Sequence, residues 1–329
     1  MSRTLERGID IPTEKKKFQR LLLQWYDANK RDLPWRRERD PYHIWVSEIM
    51  LQQTRVNAVL EHYKKFFKRF PTIHSLANAR EASVLAIWSG LGYYRRARMM
   101  HAAAKKVIKD LGGKFPTTET GLRELPGIGR YTAAAIASIA FNEPTAVVDG
   151  NVERVLQRLS GEAIPTEQIW ATANEVLDPK RPGDFNQAMM ELGATVCMPR
   201  GPLCMLCPVI ELCHARGEIN LGRAATPQKK REISYVLARE GQSVFLVQRP
   251  MDASLMAGMW ELPQGQPNSR TNGTCLTLRH SITVTDYRVR VFQGEIPDNT
   301  LGNWVREKRL AKLPLTGLAR KILRAAELM

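Results

Sequence analysis

From residue 15 to about 216, apolar residues recur at three- and four-residue spacing, in segments parted by caps and breakers, and the pattern predicts a succession of helices. Asp40 followed by Pro41 reads as an N-cap with proline at the first helical position, opening a helix expected to run from Tyr42 to about Leu60. Further helices are expected to begin near Leu76, Arg96, Tyr131, Asn151 and Thr166, and no strand is predicted in this part. Between 217 and 231 the sequence GEINLGRAATPQKKR loses its period and gathers Gly, Pro and charge, as a linker does. Beyond it the texture changes. ISYVLARE and SVFLVQRP, parted at Glu240 and Gly241, predict paired strands, and LTLRHSITV with YRVRVFQGEI predicts two more. A closing helix is expected over 316–328. The predicted architecture is a mainly α domain over 1–216, a linker over 217–231 and a smaller α+β domain over 232–329.

A chain of 329 residues suits two such domains, each with its own core. Its 49 Lys and Arg against 33 Asp and Glu leave a formal charge of +16, spread along the chain rather than gathered in a tail. Such a surplus suits a polyanionic partner, nucleic acid or an anionic membrane surface. No stretch reaches the roughly 18 consecutive apolar residues of a membrane span, and the start MSRTLERGID lacks the apolar core of a signal peptide. A soluble cytoplasmic protein with no membrane role is expected. Four of the five cysteines, Cys197, Cys204, Cys207 and Cys213, run C-x6-C-x2-C-x5-C, while Cys275 stands apart. Four thiols at such spacing predict a structural metal centre, and zinc and a [4Fe-4S] cluster both fit the ligand set.

Three further places carry candidate chemistry. LPGIGRYTAAAIAS sets Gly127 and Gly129 in a tight turn just before an Ala-rich helix, where backbone amides and the positive helix end suit a phosphate; a plain helix connector is the alternative. Glu48, in DPYHIWVSEIMLQQTRV, falls beside Ile44, Trp45, Leu51 and Gln52 at helical spacing. A carboxyl in apolar surroundings has the raised pKa that a general acid near neutral pH needs, whereas a glutamate on a helix is more often a solvated charge. Asp149, in VVDGNVERV, can serve chemistry or simply N-cap the helix that follows.

SEIMLQQT, GLGYYRRAR, LPGIGRYTA, VVDGNVERVL, FNQAMMELGA and the four-cysteine loop, in that order, resemble the MutY family of adenine DNA glycosylases over nearly all of 15–216, and the later domain resembles that family's Nudix-like C-terminal domain more weakly. The resemblance implies a helix-hairpin-helix fold of two helical lobes with a [4Fe-4S] cluster on Cys197, Cys204, Cys207 and Cys213. It implies a monomer acting on double-stranded DNA that carries adenine opposite 8-oxoguanine or guanine. It implies Glu48 as the acid that protonates the adenine, Asp149 as the stabiliser of the cationic sugar, and Tyr131 and Asn151 as the groups that position Asp149 and water. Leu51, Gln53 and Tyr93 match positions that enter the base stack, Arg36 and Glu191 match positions lining the adenine pocket, and Gly127, Gly129 and Arg130 match the phosphate-binding hairpin. Thr283 falls where the family has a serine directed at the damaged purine, but here its neighbours are Ile282 and Val284 instead of an aromatic and a histidine. Related lyases of the endonuclease III type carry a lysine where this chain has Tyr131, and tyrosine cannot form their Schiff base, so a monofunctional enzyme is expected. Two other readings are a non-catalytic, metal-stabilised DNA-binding module and a Nudix hydrolase. Retention of both carboxylates speaks against the first. Against the second, GMWELPQG is followed by no REx2EE metal-binding helix.

Overall fold

A computed structural model describes residues 14–219, 228–265, 271–282 and 285–329. The first two thirds of the chain form helices Lys15–Asn29 (α1), Pro41–Leu51 (α2), Val56–Arg69 (α3), Ile73–Ala77 (α4), Glu81–Trp88 (α5), Arg95–Leu111 (α6), Glu119–Arg123 (α7), Arg130–Phe141 (α8), Gly150–Ser160 (α9), Thr166–Val176 (α10) and Pro182–Thr195 (α11). No strand occurs there among the described residues. The Asp40 carboxylate accepts from the Tyr42 amide at 2.7 Å, so α2 opens where the sequence predicts. It does not continue to Leu60. Gln53 adopts a left-handed φ of 54°, which interrupts the helical ladder, and the chain restarts as α3. The single helix expected near Leu76 is two short ones, α4 and α5, the first opened by a reciprocal capping box between Thr72 and Ser75.

Two compact units result, and both are discontinuous in sequence. Among the described residues, one comprises 14–52 with 106–219 and the other 53–105 with 228–329. In the first unit, Phe18, Leu22 and Tyr26 of α1 pack with Val155, Leu156 and Leu159 of α9, Ile169 and Val176 of α10, and Phe185 and Leu192 of α11. Burial of each such side chain contributes about 1.5–3 kcal/mol. Two glycines of α11 permit close approach: a Cβ on Gly183 would lie 2.7 Å from the Ser138 carbonyl of α8, and one on Gly193 would lie 2.6 Å from the Asn151 Cβ of α9. Between them Asn186 accepts from the Val147 amide and donates to Ser138 Oγ and the Thr145 carbonyl, fixing the segment that leads to Asp149.

The second unit adds strands Lys229–Leu237 (β1), Arg239–Glu240 (β2), Ser243–Gln248 (β3), Trp260–Glu261 (β4), Thr271–Ile282 (β5), Thr285–Gly294 (β6) and Asn303–Arg306 (β7), and helices Glu307–Leu310 (α12) and Gly317–Ala325 (α13). β5 and β6, the two strands expected from LTLRHSITV and YRVRVFQGEI, pair antiparallel, in register from Ile282 opposite Thr285 to Leu276 opposite Val291. The other expected pair is different. β1 lies parallel to β6, Ile233 opposite Val289, and only the two residues of β2 pair with β3. Tyr235 and Leu237 thereby share a core with Val289 and Val291, whereas a simple hairpin would pair β1 with β3 instead. β1 also starts at Lys229, inside the stretch read as linker. Thr316 caps the closing helix by accepting from the Ala319 amide. No helix among the described residues is long and apolar enough to cross a membrane.

Candidate active site

Glu48 is only 5% exposed, which decides against the solvated reading. Tyr131, on the first turn of α8, donates its hydroxyl to Glu48 Oε2 at 2.6 Å. Burial pushes the Glu48 carboxyl up to about 7; the Tyr131 hydrogen bond and the Arg36 charge oppose the rise, while the negative charge of Asp149 adds to it. The same burial, with the nearby carboxylates, raises the Tyr131 phenol well above its ordinary value. Tyr131 therefore stays protonated and acts as a donor.

Asp149 does cap a helix. Its Oδ1 accepts from the amides of Asn151 (2.9 Å) and Val152 (2.8 Å), and its Oδ2 accepts from Asn151 Nδ2 at 2.8 Å. Capping and chemistry are not exclusive, since three donors fix the carboxylate's direction. Asn151 is fixed in turn by Arg154, whose Nη2 donates to Asn151 Oδ1 (2.8 Å) and the Gly193 carbonyl (2.7 Å) while its Nε donates to the Cys197 carbonyl (2.8 Å). Arg158, one turn further along α9, donates to Cys197 Sγ and to the carbonyls of Met198 and Pro199. The cysteine loop and Asp149 are thus joined through Asn151 and Arg154, and Arg158 of the same helix ties the loop down.

Cys197, Cys207 and Cys213 pack against the first unit's core. Burial pushes the Cys207 thiol up to about 11, and the other three thiols raise it further toward that value. Burial likewise raises Cys197, against the pull of Arg158 and Arg154. Thiols raised in this way are ionised only opposite a cationic centre, so Cys197 and Cys207 fit one. No three of the described His, Cys, Asp or Glu side chains converge tightly enough to hold a single metal ion.

Glu191 is 1% exposed and carries two cations. Arg31 grips it with both Nε and Nη2 at 2.7 Å and with its backbone amide at 3.1 Å, and Arg36 Nη2 reaches the same carboxylate at 2.8 Å. At the hairpin, Gly127 takes a left-handed φ of 76° and Gly129 is the N-cap residue of α8. The Arg130 guanidinium lies 3.9 Å over the Trp170 ring and pairs with Glu167. Leu51 ends α2 in this unit; Gln53 and Tyr93 belong to the second unit, where both are exposed and both have positive φ. Thr283 lies outside the described residues. Arg31, Arg154 and Gly193 escaped the sequence reading. VVDGNVERV and FNQAMMELGA contain two of them, but their partners lie about 40 residues away along the chain.

The helical scaffold, its glycine hairpin and its cysteine loop define a base-excision repair class. A family model described as "HhH-GPD superfamily base excision DNA repair protein" matches residues 46–179. A thermostable thymine-DNA glycosylase superposes with a TM-score of 0.59 at 31% identity, covering 63% of this chain and 99% of that one. Endonuclease III in a non-covalent DNA complex shares the fold, with a TM-score of 0.54 at 23% identity over 61% of this chain and 96% of that one. The adenine DNA glycosylase of Homo sapiens is 41% identical over 311 residues, covering 75% of this chain and 57% of the relative. That of Schizosaccharomyces pombe is 35% identical over 76% of this chain and 69% of the relative, and that of Buchnera aphidicola subsp. Schizaphis graminum 34% identical over 77% and 76%. The chain belongs to the adenine DNA glycosylase family of the HhH-GPD superfamily. It spans less than two thirds of the length of the mammalian relatives.

Proposed function

We propose that the protein removes adenine mispaired with 8-oxoguanine or guanine in double-stranded DNA, by hydrolysis of the N-glycosidic bond and without cleaving the strand. The observation that carries this is Glu48, a buried carboxyl held near 7 and therefore still substantially protonated at neutral pH. In this reading the C1′–N9 bond breaks with its electron pair leaving on adenine, Glu48 gives its proton to the departing base, and the sugar becomes an oxocarbenium ion. Asp149, aimed by Asn151 and two backbone amides, sets its negative charge against that cation. Water then bonds to C1′ and returns a proton to the Glu48 carboxylate. No amine stands at position 131 to trap the sugar as a Schiff base.

Gly127 and Gly129, with the amides of α8, and Arg130 would hold a backbone phosphate, while Arg36 and Glu191 would line the adenine pocket. Leu51, Gln53 and Tyr93 would fill the gap that the flipped base leaves, and Thr283 would face the opposite purine. The four cysteines would hold a [4Fe-4S] cluster, which supplies a structural anchor for their loop. A single-turnover assay on duplexes carrying adenine opposite 8-oxoguanine, guanine and cytosine tests the function. Intact abasic strands from the first two, cleaved only after alkali, are expected; release of no adenine from any duplex overturns it.

A further inference from the structure

The loop that carries Tyr93 is conformationally improbable on its own. Gly90, Gly92 and Tyr93 have φ of 111°, 71° and 46°, three left-handed residues within four, and the last is an aromatic for which that region is disfavoured. Tyr93 is nonetheless 47% exposed, so its own packing does not explain the pose. What surrounds it does. Trp88 Nε1 donates to the Gly92 carbonyl at 3.1 Å, the Arg96 guanidinium donates to the carbonyls of Leu91 and Gly92, and it lies 5.4 Å over the Tyr93 ring.

The two ends of the loop are fastened to the far end of the chain. Ser89 and Tyr94, 2% and 5% exposed, both donate to the carbonyl of Leu315, at 2.7 and 3.1 Å. Arg320, on α13, donates from Nε to Ser89 Oγ at 2.9 Å. Leu315 is wholly buried in the core of the strand-bearing region, and Thr316, the α13 cap, is held there by the hydrogen bond its backbone amide donates to the Trp260 carbonyl. The next helix is tied to the same region, since Arg98 of α6 donates to the Ala257 carbonyl. A buried polar cluster is a poor adhesive compared with apolar packing of the same volume, but it fixes position, because any slippage leaves a buried carbonyl unpaired.

We propose that Ser89, Tyr94 and Arg320 are positioning residues through which the start of α13 holds Tyr93 in its outward, left-handed pose, so that the C-terminal region is part of the device that opens the base stack of duplex DNA. This rests on the reading of Tyr93 as a residue that enters the stack. The bland alternative is that the cluster only fastens one part of the chain to another.

The test uses the full-length protein and a mismatched duplex with 2-aminopurine next to the adenine, whose fluorescence rises on unstacking. A second duplex carries a stable abasic analogue and needs no wedge to open it. For Ser89→Ala combined with Tyr94→Phe, the loss of three hydrogen bonds, two to the Leu315 carbonyl and one from Arg320, is expected to cut the fluorescence rise at least roughly tenfold. Affinity for the abasic duplex should stay within about twofold. Arg320→Met should act in the same direction, and Arg320→Lys, which keeps a donor for Ser89 Oγ, should recover the rise. A wild-type rise in the double variant, with Tyr93→Ala abolishing it, overturns the proposal alone; equal losses on both duplexes also overturn it in favour of plain fastening. No effect of Tyr93→Ala overturns the wedge reading and this proposal together. If the double variant does not fold, Tyr94→Phe and the two Arg320 variants decide by the same criteria.

Discussion

Two glutamates in the first unit are almost equally buried, and their carboxyls are driven in opposite directions. Glu48, 5% exposed, is pushed up to about 7, whereas Glu191, 1% exposed, ends at about 2. Burial raises both. What differs is the partner. Glu48 has one neutral donor, the Tyr131 hydroxyl, with Arg36 acting only at a distance and Asp149 opposing it. Glu191 receives direct hydrogen bonds from Arg31 and Arg36, and these overcome the desolvation. Arg36 takes part in both environments and spends its hydrogen bond on Glu191. The pairing of Glu191 leaves Glu48 protonated up to near neutral pH beside a guanidinium whose charge is mostly neutralised, as the proposed acid role requires.

The largest effect is expected where the transferable proton is removed. Glu48→Gln keeps an acceptor for the Tyr131 hydroxyl but should lose about 10²- to 10⁴-fold in excision rate while binding mismatched duplex normally, measured by single-turnover kinetics beside a binding titration. Excision at the wild-type rate would end the acid assignment. Glu191→Gln should sharpen the comparison from the other side. It leaves two guanidiniums facing a neutral amide, one of them nearly buried, and a loss of about 3 kcal/mol in unfolding free energy is expected, toward the low end for a broken buried pair because Arg31 is 39% exposed.

The two carboxyls also predict opposite pH dependences of stability. A folded-state value above the unfolded one means that the native state binds more protons, so the Glu48 contribution is intact below about 4.5 and is lost as pH rises through about 7. Glu191 has the reverse sign, and its stabilisation is present above about 4.5 and is lost as pH falls toward about 2. Denaturant melts at pH 8 should therefore find Glu48→Gln more stable than wild type by about 2–3 kcal/mol, with the gap closing near pH 4.5. A gap that does not change with pH would mean that Glu48 ionises freely in the folded protein.

What the sequence reveals of this arrangement is set by range. Asp40 and Asp149 as caps and the Gly127 turn are local, and each is found where local rules place it. The burial of Glu48 is not local. Its helical neighbours are apolar, yet the same pattern fits a glutamate at the edge of a core face, and only packing against α8 brings Tyr131, 83 residues away, to its carboxylate. Arg31 and Glu191 are separated by 160 residues, and Leu315 and Ser89 by 226. The end of α2 at Leu51 is not legible for another reason: Gln53 has no side-chain preference for a left-handed backbone, so its pose is imposed by its surroundings. Likewise the alternation in β1 is satisfied by any strand that offers Val289 and Val291 to the same core, and nothing in the period says that the partner is parallel.

The smallest effect tests the comparison most directly, because it changes only the partner of Glu48. In Tyr131→Phe the ring is kept and the hydroxyl is lost, along with its 2.6 Å bond to Oε2. That bond favours the ionised carboxylate and holds Glu48 lower than burial alone would, so its removal moves the carboxyl further up, above about 7. A neutral donor bonded to a carboxylate contributes about 1 kcal/mol, and about 1.4 kcal/mol corresponds to one pH unit. The alkaline limb of the excision profile, where Glu48 has given up its proton before substrate arrives, should therefore shift upward by roughly half to one pH unit. At pH 8 the protonated fraction increases, which offsets part of whatever rate is lost because the carboxyl is less well aimed. The same limb shifting downward would mean that the Tyr131 oxygen accepts a hydrogen bond from the protonated Glu48 carboxyl and stabilises the acid form, and the contrast with Glu191 would then rest on burial rather than on the partner.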